Sequence, residues 1–366
     1  MDLNRFMSDG VKNIITIASR YYLNDSRGRA WLAGAAIGMR KAQSTRDRHE
    51  AAGLHVPPYL IASISSDCNL YCIGCYARAN GTIAPEAKAR ELSDDAWGSI
   101  FDEADELGVS FILLAGGEPT LRRGVIERAA THTNIAFPVF TNGVFLDDSW
   151  IDLFDEHRNL IPVFSIEGDL GQTDARRGEG VAARVHESME ALRQRHVLWG
   201  VSITVTVENV DTVSQRDYVA DLHDRGCGLV IYNEYVPISH GTEALAMDRE
   251  GQKELMARIA DLQADRAFKG MILYAFPGDE ENMGGCLAAG RGFFHISQSG
   301  GAEPCPFSPI SVANVTDIGI RGALESPFFA RVREVEAAHS DEHLGGCTLF
   351  LHHDEVLDSA VATKDE

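Results

Sequence analysis

The sequence predicts an α/β protein built on a parallel sheet, and two observations support this fold class. Between residues 58 and 238, six short apolar runs rich in β-branched residues alternate with helical patterns. The runs are almost continuously apolar, as expected of strands whose sheet is covered by helices. Six repeats suit an open doubly wound sheet or an incomplete barrel, and both place the chemistry at the carboxyl ends of the strands.

The repeats can be bounded from local signals along the chain. Ser93 is a good N-cap for the helix after it, and Pro57 and Pro58 interrupt the chain just before the first strand. The predicted strands are residues 59–64, 109–114, 135–140, 161–166, 201–206 and 229–235. The predicted helices are residues 94–107, 122–131, 147–154, 180–195, 211–225 and 249–266.

Charge and composition divide the chain into three predicted parts. Residues 1–57 carry nine basic and five acidic side chains, a net charge of +4 that leaves −25 for the remainder. Two helices are expected there, over residues 11–22 and 27–42. Residues 58–240 hold the strand–helix repeats. Residues 241–366 contain a linking helix and then a region rich in Gly, Pro and Cys, which we expect to form a small domain dependent on a metal.

The composition is that of a globular protein and argues against several functions. The 366 residues suffice for about two domains, with 45% hydrophobic and 24% charged residues. A net charge of −21 repels a nucleic-acid backbone, so nucleic acid is not expected as a main partner. The apolar run at residues 30–39 is too short to span a membrane and no secretory signal is recognisable, so the expected compartment is the cytoplasm.

Three cysteines with gaps of three and two residues follow the first predicted strand: Cys68, Cys72 and Cys75. The chain has seven cysteines and is too large to need disulfides, and grouped cysteines in a reducing compartment are more often metal ligands or redox groups. Three such thiolates satisfy three irons of a cubane cluster and leave the fourth iron open to another ligand. A structural zinc site with its fourth ligand elsewhere is the alternative.

This CxxxCxxC motif after a first strand resembles that of the radical S-adenosylmethionine (SAM) superfamily, and the resemblance extends over residues 58–238. It implies a partial (β/α)6 barrel in which Cys68, Cys72 and Cys75 hold a [4Fe-4S] cluster whose open iron chelates SAM. One electron from the reduced cluster then cleaves SAM to a 5′-deoxyadenosyl radical. The chain departs from the family at Gly74, often an aromatic residue lying against adenine, and Tyr76 is expected to compensate.

A Gly-rich turn follows the second predicted strand and contains Gly116, Gly117, Glu118 and Pro119. Its approachable backbone carbonyls and its carboxylate are acceptors that suit an ammonium group. The turn resembles the GGEP motif of the same superfamily, which implies that it holds the amino group of SAM. Without the cysteine motif, the same four residues would be interpreted as a plain turn between a strand and a helix.

Other strand ends match places where relatives contact SAM. Asn142 follows the third strand, Ser165 closes the fourth, and Arg177 lies in a D-x-x-R-G segment soon after it. The resemblance implies that Ser165 and Arg177 contact the ribose and carboxylate of SAM, and an arginine fork suits a carboxylate. Residues 204–209 follow the fifth strand, where relatives contact adenine. Alternatively, Asn142 lies in a plain turn and Arg176 and Arg177 form a solvated surface pair.

The C-terminal region contains three further cysteines, Cys286, Cys305 and Cys347. The sequence around them is similar to the SPASM or twitch extensions of radical SAM enzymes, which implies an auxiliary [4Fe-4S] cluster. A hairpin turning at residues 299–301 would bring Cys286 and Cys305 together. The alternative is that the three are buried structural thiols. Cys227, before the sixth strand, is interpreted as a core thiol.

These features favour a radical SAM enzyme that abstracts hydrogen from, or adds a radical to, an unidentified peptide, small molecule or lipid. Whether it is of the oxidoreductase or transferase type stays open. A reductant such as ferredoxin or flavodoxin is an expected partner, and Tyr232 and Glu234 are candidate substrate contacts at the barrel mouth. The alternative is an iron–sulfur electron carrier or redox sensor that does not cleave SAM. Such a protein has no use for an ammonium-binding turn.

The basic N-terminal segment allows two interpretations. Residues 11–42 could make peripheral contact with an anionic membrane, which would favour a lipid or lipid-linked substrate. They could instead form a helical cap over the bottom of the barrel, which we favour. Four scattered histidines are chemically able to bind metal but are interpreted as ordinary polar residues: His295, His343, His352 and His353.

Overall fold

The computed structural model describes residues 16–23, 25–278, 283–339 and 347–364 and shows an α/β protein. The strands are β1 (Tyr59–Ser65), β2 (Phe111–Gly116), β3 (Phe137–Thr141), β4 (Leu160–Ile166), β5 (Gly200–Val205), β6 (Leu229–Glu234), β7 (Ile272–Phe276), β8 (His295–Ile296) and β9 (Ala302–Glu303). The helices are α1 (Ser26–Ala51), α2 (Tyr76–Ala79), α3 (Pro85–Lys88), α4 (Asp94–Leu107), α5 (Arg123–Thr131), α6 (Asp148–Glu156), α7 (Leu170–Arg177), α8 (Val181–Gln194), α9 (Val210–Val213), α10 (Arg216–Asp224), α11 (Arg249–Ala264), α12 (Val315–Leu324), α13 (Pro327–Ala338), α14 (Thr348–Leu351) and α15 (His353–Lys364).

All nine strands form one sheet in the order β7-β6-β5-β4-β3-β2-β1-β8-β9. Strands β1 to β7 pair in parallel with their neighbours, β8 pairs in parallel with β1, and β9 returns antiparallel beside β8. The sheet does not close within the described residues, because β7 and β9 stand at its two edges. The predicted partial barrel is therefore confirmed, and all six predicted strands are present.

Helix α4 begins and ends where the sequence predicted, because residues at both of its ends cap it. The Ser93 side chain accepts a hydrogen bond from the Ala96 amide at its start, and Gly108, with φ of 87°, ends it in the left-handed conformation. Its Trp97 and Phe101 are fully buried. The predicted helix over 211–225 is instead two helices, α9 and α10, because the chain between them turns away from helical geometry.

The parallel repeat runs one unit further than the sequence predicted. Helix α11 leads into β7, which pairs with β6 from Leu229 opposite Ile272 to Asn233 opposite Phe276. The sheet therefore continues past residue 240, where the sequence suggested a division of the chain. Strand β7 was not predicted, because its short apolar run directly precedes the region rich in Gly, Pro and Cys.

The N-terminal segment packs against the amino ends of the strands. Ile17, Tyr22 and Met39 share a core cluster with Phe111 of β2 and Ile161 of β4. Helix α1 extends to residue 51, nine residues beyond its predicted end. This packing is the arrangement expected of a helical cap over the bottom of the barrel. Residues 11–15 of the first predicted helix lie outside the described residues.

Buried polar contacts hold this cap in place. The Arg46 guanidinium donates to the carbonyl of Gly108 and to the Ser110 hydroxyl, both just before β2. The Tyr21 hydroxyl donates to the carbonyl of Gly226, just before β6, over 2.8 Å. Among the residues that the structure describes, no helix has the length and apolarity needed to cross a membrane. Peripheral membrane contact stays a prediction.

Candidate functional site

The first three cysteines lie in the loop after β1, residues 66–75, which we call the cysteine loop. Cys68, Cys72 and Cys75 are all half-buried, and none of the three is in a disulfide. Burial raises the pKa of the Cys68 thiol to about 11. Burial also raises the pKa of Cys72, but the guanidinium of Arg177 opposes that effect. The loop therefore presents thiol groups that are sheltered but still accessible to a ligand.

The Gly-rich turn after β2 lies directly against the start of the cysteine loop. The Gly117 amide donates to the Ser65 carbonyl and the Glu118 amide donates to the Asp67 carbonyl, both over 2.7 Å. A Cβ atom on Gly116 or Gly117 would collide with those same carbonyl oxygens. Both positions therefore require glycine, because only glycine lets the two backbones approach this closely.

Glu118 is buried, and protein groups donate to both of its carboxylate oxygens. Its Oε1 accepts from the hydroxyls of Thr120 and Thr141 over 2.6 and 2.7 Å, and its Oε2 accepts from the Asn142 amide over 2.8 Å. Burial raises its pKa, and these hydrogen bonds oppose the increase. The carboxylate thus ties the end of β2 to the end of β3. A direct contact of Glu118 with a cofactor stays a prediction.

The ends of β3 and β4 carry the next two candidate residues. The Asn142 side chain donates to Oδ1 of Asn69, in the cysteine loop, over 2.8 Å and accepts from the Val144 amide over 3.1 Å. Ser165 is half-buried near the end of β4, opposite Ser202 of β5. The structure therefore brings Asn142 to the cysteine loop and places Ser165 on the adjacent strand, at the same carboxyl edge.

A buried carboxylate with no role predicted from the sequence binds the two arginine candidates. Glu167, 2% exposed, accepts from Arg176 over 2.6 Å and from Nε of Arg177 over 2.8 Å. Arg176 also donates to the carbonyl of Ile73, and Nη1 of Arg177 lies 4.0 Å from Sγ of Cys72. The two arginines are thus not a solvated surface pair. The available signal was a carboxylate ending a strand shortly before an Arg-Arg pair.

Arg177 and Glu167 form a charged pair in which one oxygen of the Glu167 carboxylate accepts no hydrogen bond from the described residues. Burial lowers the pKa of Arg177, but Glu167 and Cys72 outweigh that effect and the net pKa is raised. Oε2 of Glu167 is buried and has no hydrogen-bond partner among the described residues. A buried acceptor beside a guanidinium that reaches the Cys72 thiol fits a site that receives a polar, charged ligand.

Replacing Glu167 with glutamine should destabilise the protein strongly. The change leaves two guanidinium groups, whose side chains are only 16% and 11% exposed, without their shared counter-charge. Removing one partner of a buried ion pair costs about 3–5 kcal/mol, so urea unfolding should show a loss of that size. Glu187→Gln is the matched control, because the Arg184–Glu187 pair is 63% and 69% exposed. We expect that control to lose less than about 1 kcal/mol; equal losses would contradict the assignment.

The C-terminal cysteines are all buried, with exposures of 8% for Cys286, 2% for Cys305 and 7% for Cys347. Strands β8 and β9 form the hairpin expected between the first two. The Ala289 amide donates to the Pro304 carbonyl over 3.1 Å, so the segments carrying Cys286 and Cys305 run side by side. Cys347 precedes α14.

Tyr76 lies between the two groups of cysteines. Its ring packs edge-on against that of Phe307, with centroids 5.2 Å apart. Burial raises the pKa of the Tyr76 hydroxyl, and the negative charges of the Cys75 and Cys305 thiolates would raise it further. The tyrosine therefore connects the cysteine loop with the C-terminal region. A contact of Tyr76 with adenine stays a prediction.

The space beside Gly74 is occupied by a different aromatic residue. A Cβ atom at Gly74 would collide with the hydroxyl of Tyr235, which follows β6. That hydroxyl also donates to Oγ1 of Thr242 over 2.7 Å. The glycine at position 74 therefore makes room for Tyr235, a contact between residues so far apart that sequence spacing gave no signal of it.

The predicted substrate contacts at the end of β6 point the wrong way. Tyr232 is fully buried, and its hydroxyl donates to the Val213 carbonyl of α9 on the outside of the sheet. Glu234 shares that face and is 4% exposed. Asn233, between them, donates to the Ser202 hydroxyl over 2.8 Å on the inner face. Side chains alternate along a strand, so Asn233 and Ser202 line the interior instead.

Two remaining candidates have structural roles. Asn209, in the segment expected near adenine, donates to the carbonyls of Glu167 and Thr204 over 2.8 and 2.9 Å and is 4% exposed. It therefore braces the ends of β4 and β5. Cys227 is fully buried, and burial raises the pKa of its thiol to about 12. It is a core thiol, as predicted.

Comparison with known proteins defines the class to which this fold and this loop belong. The family model of the radical SAM superfamily matches residues 62–216, which include the cysteine loop, the Gly-rich turn and the Glu167–Arg177 pair. These residues therefore form a radical SAM domain, and the chain is an enzyme. Members of this superfamily use a [4Fe-4S] cluster and SAM.

Among curated proteins, the chain is 27% identical over 308 residues to the AdoMet-dependent heme synthase of Methanosarcina barkeri, covering 76% of this chain and 86% of the relative. It is also 27% identical over 329 residues to the mycofactocin maturase MftC of Mycolicibacterium smegmatis, covering 85% and 80%. Among solved structures, Streptococcus suis SuiB bound to its precursor peptide SuiA has the same fold. That comparison gives a TM-score of 0.63 and 16% identity over 80% of this chain and 70% of SuiB.

Proposed function

We propose that this enzyme cleaves SAM reductively at a [4Fe-4S] cluster bound by Cys68, Cys72 and Cys75. The observation that carries the proposal is the meeting of three half-buried thiols with the Gly-rich turn and the Arg177 guanidinium at one edge of the sheet. When bound, the reduced cluster supplies one electron that breaks the C5′–S bond of SAM, yielding methionine and the 5′-deoxyadenosyl radical. The donors fit such a cluster, because thiolates are its usual ligands.

The chain's own residues would hold SAM from several sides. Glu167 fixes Arg177 beside Cys72, where its planar fork suits the SAM carboxylate and its charge favours the thiolate form of the cysteine. The backbone of Gly116 and Gly117 faces the same loop and suits the SAM amino group. Glu118 holds that turn against β3, so we assign it a positioning role.

The remaining candidates would form the rest of the cofactor pocket. Ser165 is half-buried at the carboxyl edge and offers a hydroxyl to the ribose. Asn142 is held beside the cysteine loop by Asn69 and has an amide within reach of the same pocket. Tyr76 directly follows the cysteine loop and Tyr235 lies against Gly74, and either could pack against adenine.

The barrel interior suits a substrate that enters from the carboxyl edge. The amino ends of the strands are filled by apolar side chains, including Phe111, Ile161 and Val163, which exclude water from that side. Ser202 and Asn233 supply polar groups nearer the open edge. The relatives include proteins named as peptide cyclase and maturase, which supports a peptide as the first substrate class to test. A small molecule is the second, supported by the heme synthase.

We further propose that Cys286, Cys305 and Cys347 bind an auxiliary iron–sulfur cluster. Support comes from the burial of all three thiols and from the hairpin that holds the first two segments side by side. With three cysteine ligands, the cluster would keep one iron for a further protein ligand or for substrate. A cluster whose fourth iron has a protein ligand suits the acceptance of an electron from the substrate radical. A cluster whose fourth iron is open suits direct binding of the substrate.

The proposal is tested by reducing the anaerobically reconstituted protein with dithionite in the presence of SAM. We expect 5′-deoxyadenosine and methionine in equal amounts, measured by liquid chromatography and mass spectrometry. The electron paramagnetic resonance (EPR) spectrum of the reduced cluster should also change when SAM is added, and this readout needs no substrate. An unchanged spectrum together with no 5′-deoxyadenosine would favour the electron carrier or redox sensor instead.

A further inference from the structure

A group of metal-binding side chains lies where two C-terminal helices meet, outside the candidate SAM site. His339 directly follows α13, His352 lies between α14 and α15, and Glu355 is in the first turn of α15. Helices α13 and α15 pack against each other. Three side chains spread over sixteen residues of sequence are thereby brought together, and the superfamily assignment accounts for none of them.

Both histidine rings direct a nitrogen at the same carboxylate oxygen. Nε2 of His339 is 3.0 Å and Nδ1 of His352 is 3.1 Å from Oε1 of Glu355. The rings are stacked, with centroids 3.4 Å apart and planes 17° from parallel. Ligands 2.0–2.1 Å from a tetrahedral ion lie about 3.3 Å from one another. Both nitrogen–oxygen spacings are close to that value. An ion enters when the two rings turn out of their stacked arrangement, so that each nitrogen points at the ion, and the carboxylate oxygen moves outward.

The chemistry of the three ligands points to a divalent transition metal. Two imidazoles and one carboxylate suit zinc and neighbouring metals, whereas calcium and magnesium prefer oxygen ligands alone. The side chains of His339, His352 and Glu355 are 20%, 17% and 50% exposed, so an ion can reach them from solvent and keep water as a further ligand.

We propose that His339, His352 and Glu355 form a binding site for a divalent transition metal of the zinc class. The chain charge of −21 and the neighbouring Asp354 favour a cation at this position. The bound ion would join the end of α13 to the start of α15. The site does not depend on the proposed cleavage of SAM.

The test uses zinc itself and the anaerobically reconstituted protein, washed with a weak chelator. Competition with a fluorescent zinc chelator should reveal one site that weakens at least about tenfold in His339→Ala and in His352→Ala, since losing one coordinating group costs at least as much as losing a supporting residue. His353→Ala is the matched control: it removes the same side chain one position away, where the residue is exposed. That variant should bind zinc as the unmodified protein does.

Two further measurements keep the test decisive. Glu355→Gln alters a half-exposed side chain, so it should fold normally and still lose zinc affinity. Zinc should also raise the melting temperature of the unmodified protein and of His353→Ala, but not of His339→Ala. Zinc binding that is equal in the unmodified protein, His339→Ala and Glu355→Gln would overturn the site, as would an equal loss in His353→Ala.

Discussion

Replacing Cys72 with alanine should abolish the formation of 5′-deoxyadenosine from SAM. The change removes one of three thiolates expected to hold the cluster, and a cubane with only two protein ligands is not retained. Cys72 is also the cysteine beside Arg177, so its loss removes one of the contacts between the cysteine loop and the proposed cofactor pocket. The product should fall to the level seen without protein, measured by liquid chromatography and mass spectrometry.

Cys227→Ala is the matched control for this experiment. Cys227 is also a thiol, but it is fully buried in the core and far from the cysteine loop in sequence. Its removal should leave both the iron content and 5′-deoxyadenosine formation near their original values. Retention of cleavage by Cys72→Ala would contradict the assignment of the cluster. Loss of cleavage in both variants would mean that the effect is a general one on folding.

Changing Cys286, Cys305 and Cys347 together to alanine should lower the iron content from about eight to about four atoms per chain. The three thiols are buried in the C-terminal region, whereas the cysteine loop lies after β1, so the first cluster should survive the change. Iron and acid-labile sulfide after anaerobic reconstitution measure the loss directly. The SAM-dependent change of the EPR spectrum should persist in the triple variant.

Two results would contradict the auxiliary cluster. About four irons in both the unmodified protein and the triple variant would leave a single-cluster enzyme whose C-terminal cysteines are structural. About eight irons in both would place the second cluster on other ligands. Because three buried thiols are removed at once, the circular dichroism spectrum of the variant must match that of the unmodified protein before the iron content is compared.

The elements of this fold that depend on residues close together in sequence could be predicted. Helix α4 begins after Ser93 and ends before Gly108, as predicted, because a cap and a left-handed glycine act within one turn of helix. The strands β1 to β6 were recognisable because a buried parallel strand is apolar along its length. The cysteine loop was recognisable because Cys68, Cys72 and Cys75 need only their own spacing to suggest a cluster.

Contacts across the sheet were not predictable in the same way. Nothing in the sequence around Glu118 indicated that its carboxylate accepts hydrogen bonds from Thr141 and Asn142 at the end of β3. Tyr232 was expected inside the barrel, and one residue of strand alternation puts Asn233 there instead. Each difference depends on which strands are neighbours and on which face a side chain lies.

By itself, the sequence determined the class of protein, because strand periodicity, helix caps and closely spaced cysteines are local properties of the chain. Only the tertiary structure decided that Glu167 holds Arg177 beside Cys72 and that Tyr235 fills the space at Gly74. It also decided that His339, after α13, and His352, before α15, converge on the carboxylate of Glu355. Some of those contacts join residues that are distant in sequence, and the others depend on how the C-terminal helices pack. Their geometry follows from how strands and helices pack, which residue spacing does not encode.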